Sequence, residues 1–311
     1  MKILITCPPM LRGIEGLRHF FDEKGIELVL PEVVQTLTEK ELLKLVPEVD
    51  GWIIGDDPAT EKVFEAGVKG KLKAAVKWGV GVDNVDFKAC EKLGIPISNT
   101  PGMFGNEVAD LALAYFTGIA RDSYRIEREV RNGNWIKPSG MSVTGKTVAL
   151  VGLGDIGLAT ARRLRGFGVK INGYDPFTKL SSTEAGVDAI YSFPNELEKA
   201  DFVILTCALT ASSFHLINED SIGLMKTGVY IINVSRGGLI DENALIKALE
   251  SGKVAAAGLD VFEQEPLPID SPLRKFEQNI FGTHNGSNTK EAVIRASLKA
   301  IDLLFGYLNV K

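Results

Sequence analysis

"ALVGLGDIGLATARRLRGFGVKINGYDP", residues 149–176, sets three glycines at Gly152, Gly154 and Gly157 and an acid, Asp175, 23 positions after the first of them. That spacing fits either a nucleotide site or a tight turn between a strand and a helix, and the glycines alone do not choose. The flanks do. "TVALV" reads as a buried strand, "GLGDIG" as a turn, and "IGLATARRLRGFG" as a helix with Ile156, Ala159, Leu164 and Phe167 available for its buried face. In that setting the glycines allow a sharp turn, close approach of backbone N–H groups to a pyrophosphate at the helix N-terminus, and close packing of helix on strand. A carboxylate at the end of the next strand, Asp175, accepts hydrogen bonds from both adenosine ribose hydroxyls and repels a 2′-phosphate, which selects NAD over NADP.

Outward from this stretch, strand-like and helix-like segments alternate along nearly the whole chain. Toward the N-terminus the strand readings are "KILIT", "ELVL", "GWIIG", "KAAVKW" and "PISNT", and the helix readings include "GLRHFFDEKG", "TEKELLKLV" and "DFKACEKLG". The segment "NTPGMFGNEVADLALAYFTGIARDSYRIEREVRNG" predicts one long amphipathic helix from about Glu107, followed by the loop "WIKPSGMSVTGK". After the glycine motif, "VKINGY", "FVILT", "VYIINVS", "AAAGLDV" and "QNIFGTH" read as strands, and "TKEAVIRASLKAIDLLFGYL" as a closing helix. This rhythm predicts parallel sheets with helices on their faces, and 311 residues are enough for two domains. No internal repeat or low-complexity segment interrupts it.

Composition narrows the partners. The formal net charge is −5 with no basic tract, which argues against nucleic acid. No apolar run has membrane-spanning length, and "MKILITCPPM" passes from a strand into a Pro-Pro turn without a signal-peptide pattern, so a cytoplasmic location is expected. Cys7, Cys90 and Cys207 are widely spaced, form no metal-ligand cluster and read as reduced thiols.

Acid–base chemistry has few candidates because the chain holds three histidines. His19 lies in a predicted surface helix, and His215 precedes a helix start where capping or packing accounts for it. His284 follows the apolar run "NIF" and opens "THNGSN", at a strand end of the kind that lines ligand crevices in open α/β sheets. Two more strand ends bear charge. "IINVSRGGLID" places Arg236 before Gly237-Gly238, and "AGLDVFEQEPLP" carries Asp260, Glu263 and Glu265. Arginine grips a carboxylate in a two-pronged charge-assisted bond, and a carboxylate beside an imidazole orients it and favours its charged form. Together Arg236, Glu265 and His284 make a hydride-transfer site; taken singly, Arg236 and Glu265 are equally readable as surface charges.

The ordered set "VKWGVGVDNVD", "NTPGMFGNEVADLALAYF", "VALVGLGDIG", "GYDP", "NVSRGGLIDENAL", "GLDVFEQEPL" and "THNGSNTKEA" resembles the D-isomer-specific 2-hydroxyacid dehydrogenase family, in particular its phosphoglycerate dehydrogenase-like branch, over almost the whole chain. The resemblance implies two Rossmann-like doubly wound parallel-sheet domains in an α/β fold, with the cofactor domain, residues 99–288, inserted into a substrate domain made of 1–98 and 289–311. It implies that Arg236 holds the substrate carboxylate and keto oxygen, that His284 is the proton donor or acceptor, and that Glu265 is its partner. The NAD contacts that carry over are Val80, Asp155, Ile156, Asp175, Cys207, Val234, Ser235, Arg236, Asp260, His284, Asn285 and Gly286, beside the glycines Gly152, Gly154 and Gly157. Substrate contacts carry over to Val80, Gly81, Val82, Asn84, Arg236 and His284, and no metal is implied. A homodimer is implied too, with the long helix and Trp135 at its interface, and no C-terminal effector domain is expected beyond Tyr307.

The chain departs from the family pattern at several places, the last of which bears on substrate. Asp155 stands where many relatives have arginine, Asp110 replaces a glutamate, and "TCALT" brings Cys207 and Ala208 to the adenine pocket. After "GWII", phosphate-using relatives often carry an arginine, whereas this chain has Gly55, Asp56 and Asp57; Arg12 in "CPPMLRG" could compensate as a phosphate contact, but reads more readily as an exposed loop arginine. The expected activity is NAD-dependent interconversion of a 2-hydroxy acid and its 2-oxo acid, with 3-phosphoglycerate the best single substrate the resemblance suggests. The alternatives are an NAD(H)-responsive corepressor-like binding protein and a formate or phosphite dehydrogenase; Glu265 in place of glutamine argues against formate.

Overall fold

The computed structural model describes residues 1–310. The chain divides into two compact units, Met1–Met103 with Asn288–Lys311, and Phe104–Ser287. In the first unit five strands, β1 (Lys2–Ile5), β2 (Glu27–Val29), β3 (Gly51–Ile54), β4 (Ala74–Lys77) and β5 (Ile97–Asn99), form a parallel sheet in the order β2-β1-β3-β4-β5. In the second, seven strands are all parallel: β6 (Thr147–Val151), β7 (Lys170–Tyr174), β8 (Ala189–Tyr191), β9 (Phe202–Leu205), β10 (Val229–Asn233), β11 (Val254–Leu259) and β12 (Ile280–Phe281). Their order is β12-β11-β10-β9-β6-β7-β8, so the chain reverses its direction of travel between the adjacent strands β6 and β9. Both are doubly wound α/β sheets.

The near-continuous apolar strands follow from this architecture, because a parallel strand covered by helices on both faces has no polar side to show. β9 is buried throughout, as is β3, and β6 shows only Thr147 in part. In the second unit Ala149, Val151, Val203, Leu205, Ile231 and Leu259 share a core with Leu245 and Leu249 of the helix Glu242–Glu250. In the first, the helix Lys290–Leu308 lies against β3 and β4, with Phe305 edge-on to Phe21 and the Trp78 indole donating to Ser297 Oγ at 3.1 Å.

Several local expectations are corrected. The long helix is two, Gly105–Arg121 and Ser123–Arg131, broken at Asp122. Asp122 takes a left-handed φ of 54°, which aspartate tolerates better than most residues, and its N–H closes the first helix on the Gly118 and Ile119 carbonyls. Its carboxylate then holds Arg125 one turn into the second helix at 2.7 Å. Pro8 and Pro9 open a short helix, Pro8–Arg12, rather than a turn, because proline suits the first helical positions, where no N–H partner is needed. In the helix Asp155–Leu164 the buried face is Gly157, Ala159, Thr160, Ala161 and Leu164, while Ile156 and Phe167 are only half-buried. β8 is a further strand, absent from the sequence reading. No helix among the described residues is long and apolar enough to cross a membrane.

Candidate active site

At the C-terminal ends of β6 and β9 the three glycines separate by role. Gly152 has φ +100°, and a Cβ there would lie 2.5 Å from the Cys207 backbone nitrogen, so the turn passes directly over the end of β9. A Cβ on Gly157 would lie 1.9 Å from the Gly152 carbonyl oxygen, which is how tightly the helix Asp155–Leu164 packs on its own turn. Gly154 differs: it is exposed, and nothing lies within 4 Å of a Cβ built there. It occupies the N-cap of that helix, and no side chain caps the first turn. Open space beside uncapped N–H groups and a helix dipole is the environment a pyrophosphate requires. Asp155, the first helical residue, is exposed with its carboxylate beside Gly105 at the start of the helix Gly105–Arg121, and Ile156 is half-buried.

Asp175 follows β7, and its carboxylate orders both neighbouring turns. Oδ2 accepts from the Leu153 N–H at 2.8 Å, and Oδ1 accepts from Phe177 and Thr178 at 2.8 and 3.1 Å. Cys207 sits close enough for the Asp175 charge to act on its thiol; burial first, and that charge second among the raising effects, push the thiol up to about 11. Thr206 was not foreseen: its hydroxyl donates to the Gly152 carbonyl at 2.8 Å, tying the glycine turn to β9. A polar residue closing the apolar run "FVIL" was the available signal.

On the other side of the sheet the ends of β10, β11 and β12 bring together Arg236, Glu265 and His284. Val234 and Ser235 are buried, and Asn233 fixes the turn, its Oδ1 accepting from the Ser235 N–H and its amide donating to the Arg236 carbonyl at 2.8 Å. His284 Nδ1 pairs with Glu265 Oε2 at 2.8 Å, while Glu265 Oε1 accepts from the Phe262 N–H at 3.0 Å. The carboxylate is held at both oxygens, so the imidazole has a defined orientation. His284 Nε2 lies 3.4 Å from Arg236 Nη1. An imidazole anchored through Nδ1 by a carboxylate offers Nε2 for proton transfer, beside a guanidinium able to meet developing negative charge. Asp260, 1% exposed, accepts the Gly286 N–H on Oδ2 at 2.8 Å, and Asn285 between them is exposed.

His19 and His215 lie elsewhere. His19 is in the short helix Arg18–Asp22. His215 does more than pack or cap: Nε2 pairs with Glu263 Oε1 at 2.5 Å, and its ring stacks on Phe214. Among the described residues no group of three or more His, Cys, Asp or Glu side chains is arranged to hold a metal.

Val80, Gly81, Val82 and Asn84 belong to the first unit, in the loop after β4, with Val80 and Val82 exposed. Sequence reasoning missed the lysine beneath that loop. Lys77, the last residue of β4, is 2% exposed, and its ammonium donates to the Gly55 carbonyl at 2.6 Å and to Asp56 Oδ1 at 2.9 Å. The Asn84 amide donates to the Gly55 and Asp57 carbonyls at 3.1 and 2.7 Å. Asp57 is buried and accepts from the Leu37 and Gly55 N–H groups; burial pushes its carboxyl above the ordinary value despite those bonds. Arg12, at the end of its short helix, is exposed.

A glycine turn at the switch point of a parallel sheet, with a histidine–glutamate pair and an arginine at neighbouring strand ends, defines the class of a dinucleotide-dependent dehydrogenase. Residues 113–286 match the family model for the D-isomer specific 2-hydroxyacid dehydrogenase NAD binding domain. The chain is 36% identical over 314 residues to a glyoxylate reductase of Korarchaeum cryptofilum, covering 98% of this chain and 92% of that one. It is 38% identical over 283 residues to a hydroxypyruvate reductase of Thermotoga maritima, covering 88% and 90%. It is likewise 38% identical over 297 residues to a D-3-phosphoglycerate dehydrogenase of Methanocaldococcus jannaschii, covering 94% of this chain but 54% of that one, about half its length. The chain belongs to the D-isomer specific 2-hydroxyacid dehydrogenase family: it is an NAD-dependent oxidoreductase acting on the CH–OH group of 2-hydroxy acids.

Proposed function

We propose that this enzyme interconverts a small unphosphorylated 2-oxo acid and its D-2-hydroxy acid, with Arg236, Glu265 and His284 as its catalytic residues. The observation that carries the catalytic assignment is the His284 Nδ1–Glu265 contact of 2.8 Å beside Arg236. NADH, when bound, supplies the hydride that C2 accepts. In reduction His284 gives the Nε2 proton to the C2 oxygen, and Glu265 keeps the imidazole oriented and stabilises its charge. Arg236 binds the substrate carboxylate and meets the charge growing on the C2 oxygen. Oxidation runs the same steps backwards, with Nε2 taking the hydroxyl proton. Gly152, Gly154, Gly157, Asp155 and Ile156 are assigned to the pyrophosphate, Asp175 to the ribose, and Cys207 to the adenine side. Val80, Val234, Ser235, Asp260 and residues 284–286 are assigned to the nicotinamide half, and Val80, Gly81, Val82 and Asn84 to the substrate.

The loop next to the assigned substrate segment supports the unphosphorylated reading. A phosphate needs cations, and Lys77 already gives its charge to Asp56, with a second acid, Asp57, adjoining. The glyoxylate and hydroxypyruvate reductases among the relatives fit that reading; a phosphorylated substrate for this chain would instead need a cation such as Arg12. The protein is further proposed to act as a cytoplasmic homodimer, with the exposed Trp135 on the surface assigned to the second copy.

Steady-state NADH oxidation with glyoxylate, hydroxypyruvate, pyruvate and 3-phosphohydroxypyruvate tests the substrate, in wild type and in Arg12→Ala. Preference for an unphosphorylated acid, indifferent to Arg12, is expected; preference for the phosphorylated acid that collapses in Arg12→Ala would reverse the assignment. His284→Asn tests the chemistry: turnover should fall about 10²–10⁴-fold while NADH binding, read by fluorescence, stays within a few fold. Undiminished turnover would remove His284 from the mechanism.

A further inference from the structure

His284 has a left-handed backbone, with φ +53°. A non-glycine residue in that region is held there by its surroundings. Here the surroundings converge on one buried residue. The Asp260 carbonyl accepts the His284 N–H at 2.6 Å, and Asp260 Oδ2 accepts the Gly286 N–H at 2.8 Å, so main chain and side chain of the same residue grip both ends of the segment 284–286. The remaining oxygen, Oδ1, accepts from the hydroxyl of Tyr115 at 3.3 Å.

Tyr115 sits on the helix Gly105–Arg121 and is 4% exposed, with its ring inside the helix–sheet layer. The sheet is cut away to admit it. A Cβ on Gly258 would lie 2.8 Å from Tyr115 Cβ, and a Cβ on Gly282 would lie 2.1 Å from Asp260 Oδ1 and 2.3 Å from the Tyr115 hydroxyl. Two turns before Tyr115 on the same helix, Val108 lies 3.3 Å from where a Cβ on Gly286 would stand. The helix therefore borders the histidine segment at Val108 and is linked to it through Tyr115 and Asp260. Burial, and then the neighbouring Asp260 charge, push the Tyr115 hydroxyl far above its ordinary value, so it remains a donor throughout the working range of the enzyme.

We propose that Tyr115 is a positioning residue: its hydroxyl fixes Asp260, and Asp260 in turn fixes the backbone that aims His284. The inference rests on His284 being the proton-transferring group. Removing the hydroxyl while keeping the ring leaves a buried carboxylate oxygen without its donor, and the carboxylate then turns to find another. Because proton transfer depends steeply on the donor's placement, a displacement well short of 1 Å is enough to slow it.

Tyr115→Phe, His284→Asn and the double variant are compared for kcat, KM, NADH dissociation constant and melting temperature. Tyr115→Phe is expected to lower kcat about tenfold, to weaken NADH binding by less than that because Asp260 is also assigned to the nicotinamide half, and to cost nothing further in kcat in the His284→Asn background. A wild-type kcat in Tyr115→Phe, with His284→Asn impaired, overturns this inference alone. So does a loss of the same size with His284 absent, or a loss residing wholly in NADH binding, since each shows that the hydroxyl does not work through His284. Wild-type turnover in His284→Asn overturns the proposed chemistry and this inference with it. A lowered melting temperature with unchanged kcat assigns the hydroxyl to stability and refutes positioning.

Discussion

Gly154→Ala and Gly157→Ala add the same methyl group to the same turn and should have opposite consequences. At Gly157 the new carbon falls 1.9 Å from the Gly152 carbonyl oxygen, well inside contact distance, and the obstacle is backbone. Relief requires the helix Asp155–Leu164 to lift off its turn, an overpacking cost of about 2–4 kcal/mol. For a unit of this size that is roughly 4–16 °C in melting temperature. At Gly154 the methyl meets nothing within 4 Å, and φ is −78°, which alanine adopts without strain. The modest loss of a glycine N-cap, about 0.5 kcal/mol, is offset by the smaller entropy of the unfolded chain, so the melting temperature should move by less than about 2 °C. NADH affinity should instead fall by about 10–100-fold, the equivalent of one charge-assisted bond to phosphate. Differential scanning fluorimetry and NADH fluorescence titration on the two variants separate the effects. Full NADH affinity in a stable Gly154→Ala would show that the helix N-terminus does not hold the pyrophosphate; an unperturbed melting temperature in Gly157→Ala would show that the close packing is not required.

Two further outcomes follow from carboxylates whose partners are known. Asp201 accepts from the Thr147 N–H and from Lys226, both at 2.9 Å; burial pushes its carboxyl up, but those partners outweigh it and hold it below the ordinary 3.8. A depressed carboxyl stabilises the fold above its unfolded value and loses that contribution as pH falls through its folded value. Asp201→Asn should therefore cost about 1–2 kcal/mol at pH 7, with the gap to wild type closing below pH 3.8 as read by urea melts; a gap that is constant with pH would rule the ion pair out as its source. For cofactor choice, Asp175→Asn combined with Phe177→Arg keeps an acceptor for the turn, removes the negative charge and supplies a cation, so the NADPH/NADH ratio of kcat/KM should rise about tenfold or more. An unchanged ratio, or a wild type that already prefers NADPH, would contradict the ribose assignment.

The legible part of this protein is what a parallel sheet writes into sequence. Arg236, Glu265 and His284 each follow an apolar run, so their placement at strand ends could be read without coordinates, and the glycine turn was framed by a strand and a helix of clear period. β8 escaped because "AIY" is three half-buried residues at a sheet edge, too short to show a pattern. The break at Asp122 escaped because helical spacing continues on both sides of it, and a single left-handed residue leaves no periodic trace. Tyr115 is indistinguishable in sequence from the apolar stripe around it; its hydroxyl acquires meaning only when β11 and β12 put Asp260 and Gly282 beside it. Lys77 reads as a polar interruption in "AAVKW", and its partner Asp56 becomes adjacent only through the parallel register that sets Ile54 opposite Lys77.

The first unit is built from both ends of the chain, and this orders its birth on the ribosome. Its five strands leave the exit tunnel within the first 103 residues, yet the helix that covers β3 and β4 is Lys290–Leu308. Leu304 and Leu308, which close over Gly51, arrive only after the 184 residues of 104–287 have been made. At about 5–20 residues per second that delay is on the order of 10–40 s. Throughout it the nascent sheet presents a bare apolar face to solvent, a surface that a holdase chaperone would recognise, while the second unit, contiguous in sequence, can fold as it emerges. The helix Lys290–Leu308 is thus the element on which closure of the first unit waits.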